Sequence, residues 1–428
     1  MISIETPGDK SISHRTLILA TLAAGPSTVQ GILRSVDVRA TAEAMRQLGA
    51  SIREEGDETR IGGQVQWRAP EEEIDCGNSG TTARLLLGLL AGLGIQAVIR
   101  GDASLSRRPM DRVVYPLQAM GARIRYLESD GRLPLELDAR RSGSLRSLRH
   151  RPRMASAQVK SCILLAGLTG RIRVEVSEAR ATRDHTERLL DAMGAAIAVD
   201  RSTDGGAVVS LEPDRKPAGL SPLRLRVPGD FSSAAFLLAA GWLGAGEVQV
   251  LRVGLNPTRT GLLDVAREMG ARFDLVEEGF EAREPTGRVR AMPSRLRGFD
   301  VDSRALPHLV DEIPVLAVLA ARAVGVSRIR GAEELRLKES DRLAVLAGNL
   351  GRLGVRCRER ADGLEIEGTD APLAGRVRCA GDHRIAMAFG ALGAAPGCRI
   401  SVDEASCVSI SYPSFWQDLE RISGSEAA

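Results

Sequence analysis

The sequence predicts an α/β protein of two similar halves, each built from three β/α units whose helices pack inside a sheeted wall. Three observations carry that expectation: a helix-ending glycine motif that recurs five times, a 221-residue offset that maps the first half onto the second, and small polar lead-ins in front of apolar runs.

The helix-ending motif is Leu or Met, then Gly, then a small residue. Its copies are Leu48-Gly49-Ala50, Met120-Gly121-Ala122, Met193-Gly194-Ala195, Met269-Gly270-Ala271 and Leu353-Gly354-Val355, with successive glycines 72, 73, 76 and 84 residues apart. A period of that size is a whole supersecondary unit, and six of them fill the chain. In the first copy Thr41, Ala44, Met45 and Leu48 follow an i, i+3, i+4, i+7 spacing, one face of a helix. Glycine then supplies a left-handed cap, and the segments that follow, such as Arg123 to Leu127, roughly alternate as half-buried strands do.

The longer repeat pairs Pro7-Gly8-Asp9 with Pro228-Gly229-Asp230, an offset of 221 that also carries Arg46 onto Arg267 and Gly49 onto Gly270. The polar lead-ins are Asp9 to Arg15 before Thr16 to Ala24, Gly77 to Thr82 before Ala83 to Ala91, Ser156 to Gln158 before Val159 to Leu168, and Gly381 to Arg384 before Ile385 to Leu392. A helix start leaves backbone N–H groups unpaired at the positive end of the dipole, so lead-ins carrying Lys10, Arg15 and Arg384 suit anions. In the second half, Lys338-Glu339-Ser340-Asp341-Arg342 precedes an apolar run from Leu343 to Leu350, and Asp311-Glu312 heads another from Ile313 to Ala321. A carboxylate there, close to several cations, is held ionised and available as a base, while a second in a drier setting can deliver a proton.

Composition narrows the function. The 428 residues suggest two or three domains, and 43% hydrophobic with 26% charged residues excludes a disordered or collagenous chain. A net charge of +3 and only three Trp, three Tyr and seven Phe argue against an RNA-binding scaffold with stacking platforms. Four lysines (10, 160, 216 and 338) stand against 54 arginines, so a retained lysine points to a task for a compact ammonium; Lys216, in a Pro-flanked loop, needs no such reading. The six cysteines lack a C-x-x-C pair and read as reduced core residues. No phosphate loop, dinucleotide fingerprint, zinc motif or serine-hydrolase elbow occurs, so neither a cofactor nor a metal is expected and the chemistry is expected to run on side chains. The longest apolar stretch, Leu85 to Ile95, is too short to span a membrane, and Glu5, Asp9 and Lys10 interrupt any export signal, so a cytoplasmic location is expected.

PGDKSISHR (7–15), GNSGTTAR (77–84), GDASLSRRPM (101–110), SAQVKS (156–161), LKESDR (337–342) and GDHRIAM (381–387) together, in this order, resemble the enolpyruvyl transferase family and within it the 5-enolpyruvylshikimate-3-phosphate synthases. The resemblance implies an inside-out α/β barrel fold: two domains, each of three βαβαββ-type repeats, joined by a double-crossover hinge near Asp9 and Pro228. One domain would comprise 1–8 plus 229–428 and hold the catalytic carboxylates and most enolpyruvyl-donor contacts. The other, 9–228, would hold most contacts to shikimate 3-phosphate. The implied reaction moves the enolpyruvyl group of phosphoenolpyruvate onto the 5-hydroxyl of shikimate 3-phosphate and releases phosphate. Both partners are small molecules, with no nucleic acid, no membrane and no cofactor, and family precedent implies a monomer.

By the same resemblance Lys10, Ser11, Arg15, Ser156, Gln158, Asp311 and Lys338 would hold shikimate 3-phosphate. Lys10, Gly80, Arg108, Gln158, Arg342 and Arg384 would hold phosphoenolpyruvate. Asp311, Glu339 and Lys10 would be catalytic, and Gly80 would leave room for the inhibitor glyphosate. The sequence departs from the family at Ile410, where a lysine is common, at Glu334, where Asn is common, and at Ala157, where a double serine is reduced to Ser156; Arg183 is a candidate to compensate. The rival is the sister UDP-N-acetylglucosamine enolpyruvyl transferase, which carries a reactive cysteine in the loop that here runs Gly101 to Met110 without one.

Overall fold

The computed structural model describes residues 1–138, 145–152, 154–212 and 219–424; Lys216 lies outside them. The chain divides into two compact units, one of Met1–Pro7, Pro228–Phe280 and Glu284–Ala428, the other of Gly8–Val227 with Glu281–Arg283.

The Gly8–Val227 unit repeats one motif three times. Strands Ile74–Asp75 and Ala97–Arg100 run parallel, joined by helix Gly80–Leu93; helix Asp111–Ala119 then leads to strands Ile124–Tyr126 and Leu135–Leu137. That last pair is antiparallel and docks on the Ala97 strand in register Ala97 to Leu137, giving a four-stranded βαβαββ sheet. The sheets built on Ser27–Gln30 and Val174–Glu178 have the same strand order. The helices face inward because their apolar residues are too many for one stripe: Leu85 to Ala91 of helix Gly80–Leu93 and Val159 to Gly167 of helix Ala157–Gly170 are buried throughout. These two helices nearly touch, since a Cβ on Gly88 would lie 2.2 Å from the carbonyl oxygen of Cys162.

The other unit holds two sheets of that order, around Val248–Gly254 and Val326–Ile329, and a third of which two strands, Leu373–Val377 and Cys398–Val402, are present among the described residues. Each unit has its own apolar core. The duplication is visible in the backbone: helices Lys10–Thr21 and Phe231–Trp242 differ by 221 residues at both ends.

All five predicted glycine caps form. Gly49, Gly121, Gly194, Gly270 and Gly354 have φ of 104, 105, 81, 82 and 82°. At each, the next residue's N–H reaches back to a carbonyl five residues earlier, as Ala50 does to Met45 at 2.9 Å and Val355 to Leu350 at 2.9 Å. That pairing and the left-handed glycine satisfy otherwise orphaned carbonyls.

The expectation of polar lead-ins before the helices needs correction. The first helix begins at Lys10, not Thr16, so Lys10 to Arg15 are its first turns rather than a preceding loop. Gly80 likewise opens its helix, after Ser79. Three of these segments also satisfy their own donors: Asp9 accepts from Ile12 N–H, Ser79 from Thr82 and Asp382 from Arg384. Side chains therefore fill part of the anion-binding capacity expected of these helix ends. Ser156 makes no such capping bond.

The cysteines are unpaired, but only Cys76, Cys162 and Cys379 are buried; Cys357, Cys398 and Cys407 are half-buried, and the sulfurs of Cys379 and Cys407 lie 3.8 Å apart. Among the described residues no helix is long and apolar enough to cross a membrane.

Candidate active site

In the Gly8–Val227 unit, the first turns of helix Lys10–Thr21 carry Lys10, Ser11 and Arg15. Lys10 is ion-paired with Asp37, in the first turn of helix Val36–Gln47. Arg15, 4% exposed, donates from Nε to Thr186 Oγ1 at 2.7 Å, from Nη2 to Ser161 Oγ at 2.9 Å and from Nη1 to the Ser11 carbonyl at 3.0 Å. Between them His14 lies fully buried with Nδ1 2.7 Å from Thr41 Oγ1. Burial first, then the charge of Lys10, pushes its pKa down to about 3, so the imidazole is neutral at pH 7.

Elsewhere in this unit, Gln158 is fixed from both ends. Arg84 Nη1 donates to its Oε1 at 2.7 Å, and its Nε2 donates to Thr81 Oγ1 at 3.0 Å. Arg84 also donates to the Pro109 carbonyl at 3.0 Å, linking helix Gly80–Leu93 to the 101–110 loop. In that loop Arg108 donates to Asn78 Oδ1 at 2.6 Å, and Asn78 donates to Asp102 at 2.9 Å. Gly80 matters through Arg84: a Cβ there would stand 2.8 Å from Arg84 Nη1. Arg183 is half-buried just before helix His185–Ala192.

In the other unit, Arg342 is 1% exposed and gathers three carboxylates: Asp382 at 2.7 Å, Glu339 at 2.7 Å and Asp311 at 3.6 Å. Burial opposes its charge, but these carboxylates outweigh it and raise its pKa. Burial would likewise raise Asp382, and Arg342 overrides it, holding that carboxyl below its ordinary value. Arg384 Nη2 approaches Asp311 at 3.6 Å, and its Nη1 donates to the Asp311 carbonyl at 3.3 Å. Asp311, in the 3-10 turn Val310–Glu312, therefore stands between two guanidinium groups. Lys338 is more peripheral, 3.5 Å from Glu334, and Ile410 is half-buried in the 3-10 turn Ala405–Ile410.

The expected residues thus fall into one cluster in each unit. Within the first, Lys10, Arg15, Gly80, Arg108 and Gln158 are tied through partners that sequence reasoning missed: Asp37, Arg84, Asn78, Ser161 and Thr186. Arg84 closes the GNSGTTAR motif and Ser161 closes SAQVKS, so both were available as signals. Asp37 and Thr186 had none beyond being polar in a helix's first turn.

A sequence model of EPSP synthase (3-phosphoshikimate 1-carboxyvinyltransferase) matches residues 2–419. The chain belongs to the EPSP synthase family. A 3-phosphoshikimate 1-carboxyvinyltransferase of Thermus thermophilus is 49% identical over 423 residues, covering 98% of this chain and 96% of that relative. One from Synechocystis is 44% identical over 426 residues, covering 98% and 93%. The solved EPSP synthase of Acinetobacter baumannii superimposes with a TM-score of 0.84 at 37% identity, over 98% of this chain and 95% of that one. The enolpyruvyl transferase NikO of Streptomyces tendae shares the fold, with a TM-score of 0.75 at 20% identity over 99% of this chain and 94% of its own.

Proposed function

We propose that this enzyme transfers the enolpyruvyl group of phosphoenolpyruvate to the 5-hydroxyl of shikimate 3-phosphate and releases phosphate. The observation that carries the reading is Asp311 lying 3.6 Å from both Arg342 and Arg384: a carboxylate set beside two cations suited to a carboxylate and a phosphate. Family membership over residues 2–419 supports the same reaction.

In this reading the Gly8–Val227 unit grips shikimate 3-phosphate with Ser11, Arg15, Ser156 and Gln158, and Lys338 and Asp311 address its hydroxyls. Ser156, whose hydroxyl does not cap its helix, is suited to a phosphate. Lys10, Gly80, Arg108, Gln158, Arg342 and Arg384 hold phosphoenolpyruvate. Asp311 removes the proton of the attacking 5-hydroxyl as its oxygen bonds to C2 of phosphoenolpyruvate, and Glu339 or Lys10 protonates C3. The tetrahedral intermediate then loses phosphate and the proton from C3, restoring the enol double bond. Arginines placed where phosphate departs stabilise the charge that develops there.

Phosphate release tests the reading. It is expected with phosphoenolpyruvate plus shikimate 3-phosphate and absent when UDP-N-acetylglucosamine replaces the latter; the reverse selectivity would assign the chain to the sister reaction. Asp311→Ala and Glu339→Ala should each lower kcat by about 100-fold or more, the scale of a lost acid or base. Undiminished turnover in either variant removes that residue from the mechanism.

A further inference from the structure

Lys160 is one of only four lysines beside 54 arginines, yet the reaction outlined above gives it no role. It is 2% exposed, and its Nζ lies 2.7 Å from Glu178 Oε2 and 2.7 Å from Glu187 Oε1. The first contact is a hydrogen bond, and the second is an ion pair at the same distance. Glu178 ends strand Val174–Glu178 and also accepts from the Thr182 N–H at 3.1 Å, while Glu187 lies in the first turn of helix His185–Ala192. One ammonium therefore joins two helices and a strand. Both carboxylates sit 2.7 Å from a single nitrogen, a geometry that suits a compact ammonium better than a guanidinium, whose nitrogens are spread over a plane.

The chain neighbours of this ion pair are the two hydroxyls that hold Arg15. Ser161 follows Lys160, Thr186 precedes Glu187, and their oxygens are 2.7 Å apart. Arg15 donates to both, at 2.9 and 2.7 Å. Lys160 also donates its backbone N–H to the Ser156 carbonyl at 3.1 Å, one turn above. The spacing of helices Ala157–Gly170 and His185–Ala192 at this level therefore sets where the Arg15 guanidinium can lie.

We propose that Lys160, with Glu178 and Glu187, is a positioning residue for shikimate 3-phosphate: it locks the first turns of the two helices so that Ser161 and Thr186 aim Arg15. This rests on the reading in which Arg15, Ser156 and Gln158 hold that substrate. Buried carboxylates deprived of their cation repel one another and draw in water, so loss of Lys160 should spread the two helix starts.

The test is steady-state kinetics of Lys160→Met and Glu187→Gln, together with their melting temperatures. In Lys160→Met the KM for shikimate 3-phosphate should rise about tenfold or more, the scale of one misaligned charged hydrogen bond, and in Glu187→Gln about threefold. The KM for phosphoenolpyruvate at saturating shikimate 3-phosphate should rise less than that for shikimate 3-phosphate in both, because of its proposed ligands only Gln158 lies on these two helices, a split that a purely structural role would not produce. An unchanged KM for shikimate 3-phosphate in folded protein, however far the melting temperature falls, overturns the proposal. Should Lys160→Met fail to fold, Glu187→Gln, which keeps the side-chain shape, decides by the same split. Arg15→Lys separates this from the underlying reading. If it leaves the KM for shikimate 3-phosphate untouched, the assignment of Arg15 falls and the proposal with it; if it raises that KM while the Lys160 and Glu187 variants do not, the proposal alone falls.

Discussion

Helices Lys10–Thr21 and Phe231–Trp242 are the same structural element built twice. Both have 12 residues, both follow a Pro-Gly-Asp, and in both the Asp accepts a backbone N–H of the first turn. Their side chains diverge at matching positions: Lys10, His14 and Arg15 in one become Phe231, Ala235 and Phe236 in the other. Arg15 and Phe236 are both hidden, at 4% and 1% exposure, but Arg15 needs Thr186, Ser161 and a carbonyl to stay there, whereas Phe236 packs in the apolar core, edge-on to Phe415 at 6.2 Å. The repeat thus keeps what the backbone needs and leaves each copy free to bury polar groups or apolar ones at the same positions. A buried guanidinium requires a dedicated polar shell, and a buried ring does not.

The largest effect expected from this contrast is on stability. Phe236→Ala should cost about 3–5 kcal/mol in urea unfolding, the range for truncating a buried aromatic, with the KM for shikimate 3-phosphate unmoved in the protein that remains folded. Arg15→Ala should do the opposite, raising that KM by about 10- to 100-fold as charged hydrogen bonds are lost, with the smaller stability change. Equal stability losses with unchanged KM values would erase the distinction between the two copies.

A smaller effect is specific to the polar copy. His14 is held near 3, below its unfolded value of 6.5, so as the pH falls through that window the unfolded chain takes up a proton that the folded one refuses. Stability from this residue is present above about pH 6.5 and declines below it, by about 1.4 kcal/mol per pH unit. His14→Gln should therefore lose about 2 kcal/mol less than the parent between pH 6.5 and 5, measured by urea unfolding at each pH. Ala235, its counterpart, cannot contribute such a slope. The smallest expected effect is Gly80→Ala, whose methyl displaces Arg84 and loosens Gln158: competitive inhibition by glyphosate should weaken about tenfold. Undiminished inhibition would detach Gly80 from the phosphoenolpyruvate pocket.

The contrast also explains what could be read in advance. The five glycine caps were legible because a Schellman ending is decided within six residues, and the 221-residue offset because both copies keep their Pro-Gly-Asp. The start of the first helix was misplaced because its opening residues Lys10, Ser11, Ser13 and His14 are polar, and an apolar period identifies a buried helix only where apolar side chains do the burying. Arg342 and Arg384 were found from local strings, and Glu339 shares the string of Arg342, but Asp311 and Asp382 join it from 31 positions before and 40 after, a proximity that only folding creates. Lys160 was conspicuous by rarity alone; its partners lie 18 and 27 positions downstream.

The close approach of Gly88 to the Cys162 carbonyl has a consequence for the spacing of two helix starts. With no side chain between them, helices Gly80–Leu93 and Ala157–Gly170 cannot slide independently, so Gly80 and Arg84 at the start of one keep a fixed spacing from Ser156 and Gln158 at the start of the other. On the reading proposed above, where Gly80 meets phosphoenolpyruvate and Ser156 meets shikimate 3-phosphate, a molecule held at one helix start would find the other already aligned, and less orientational freedom would be left to lose when its co-substrate arrives.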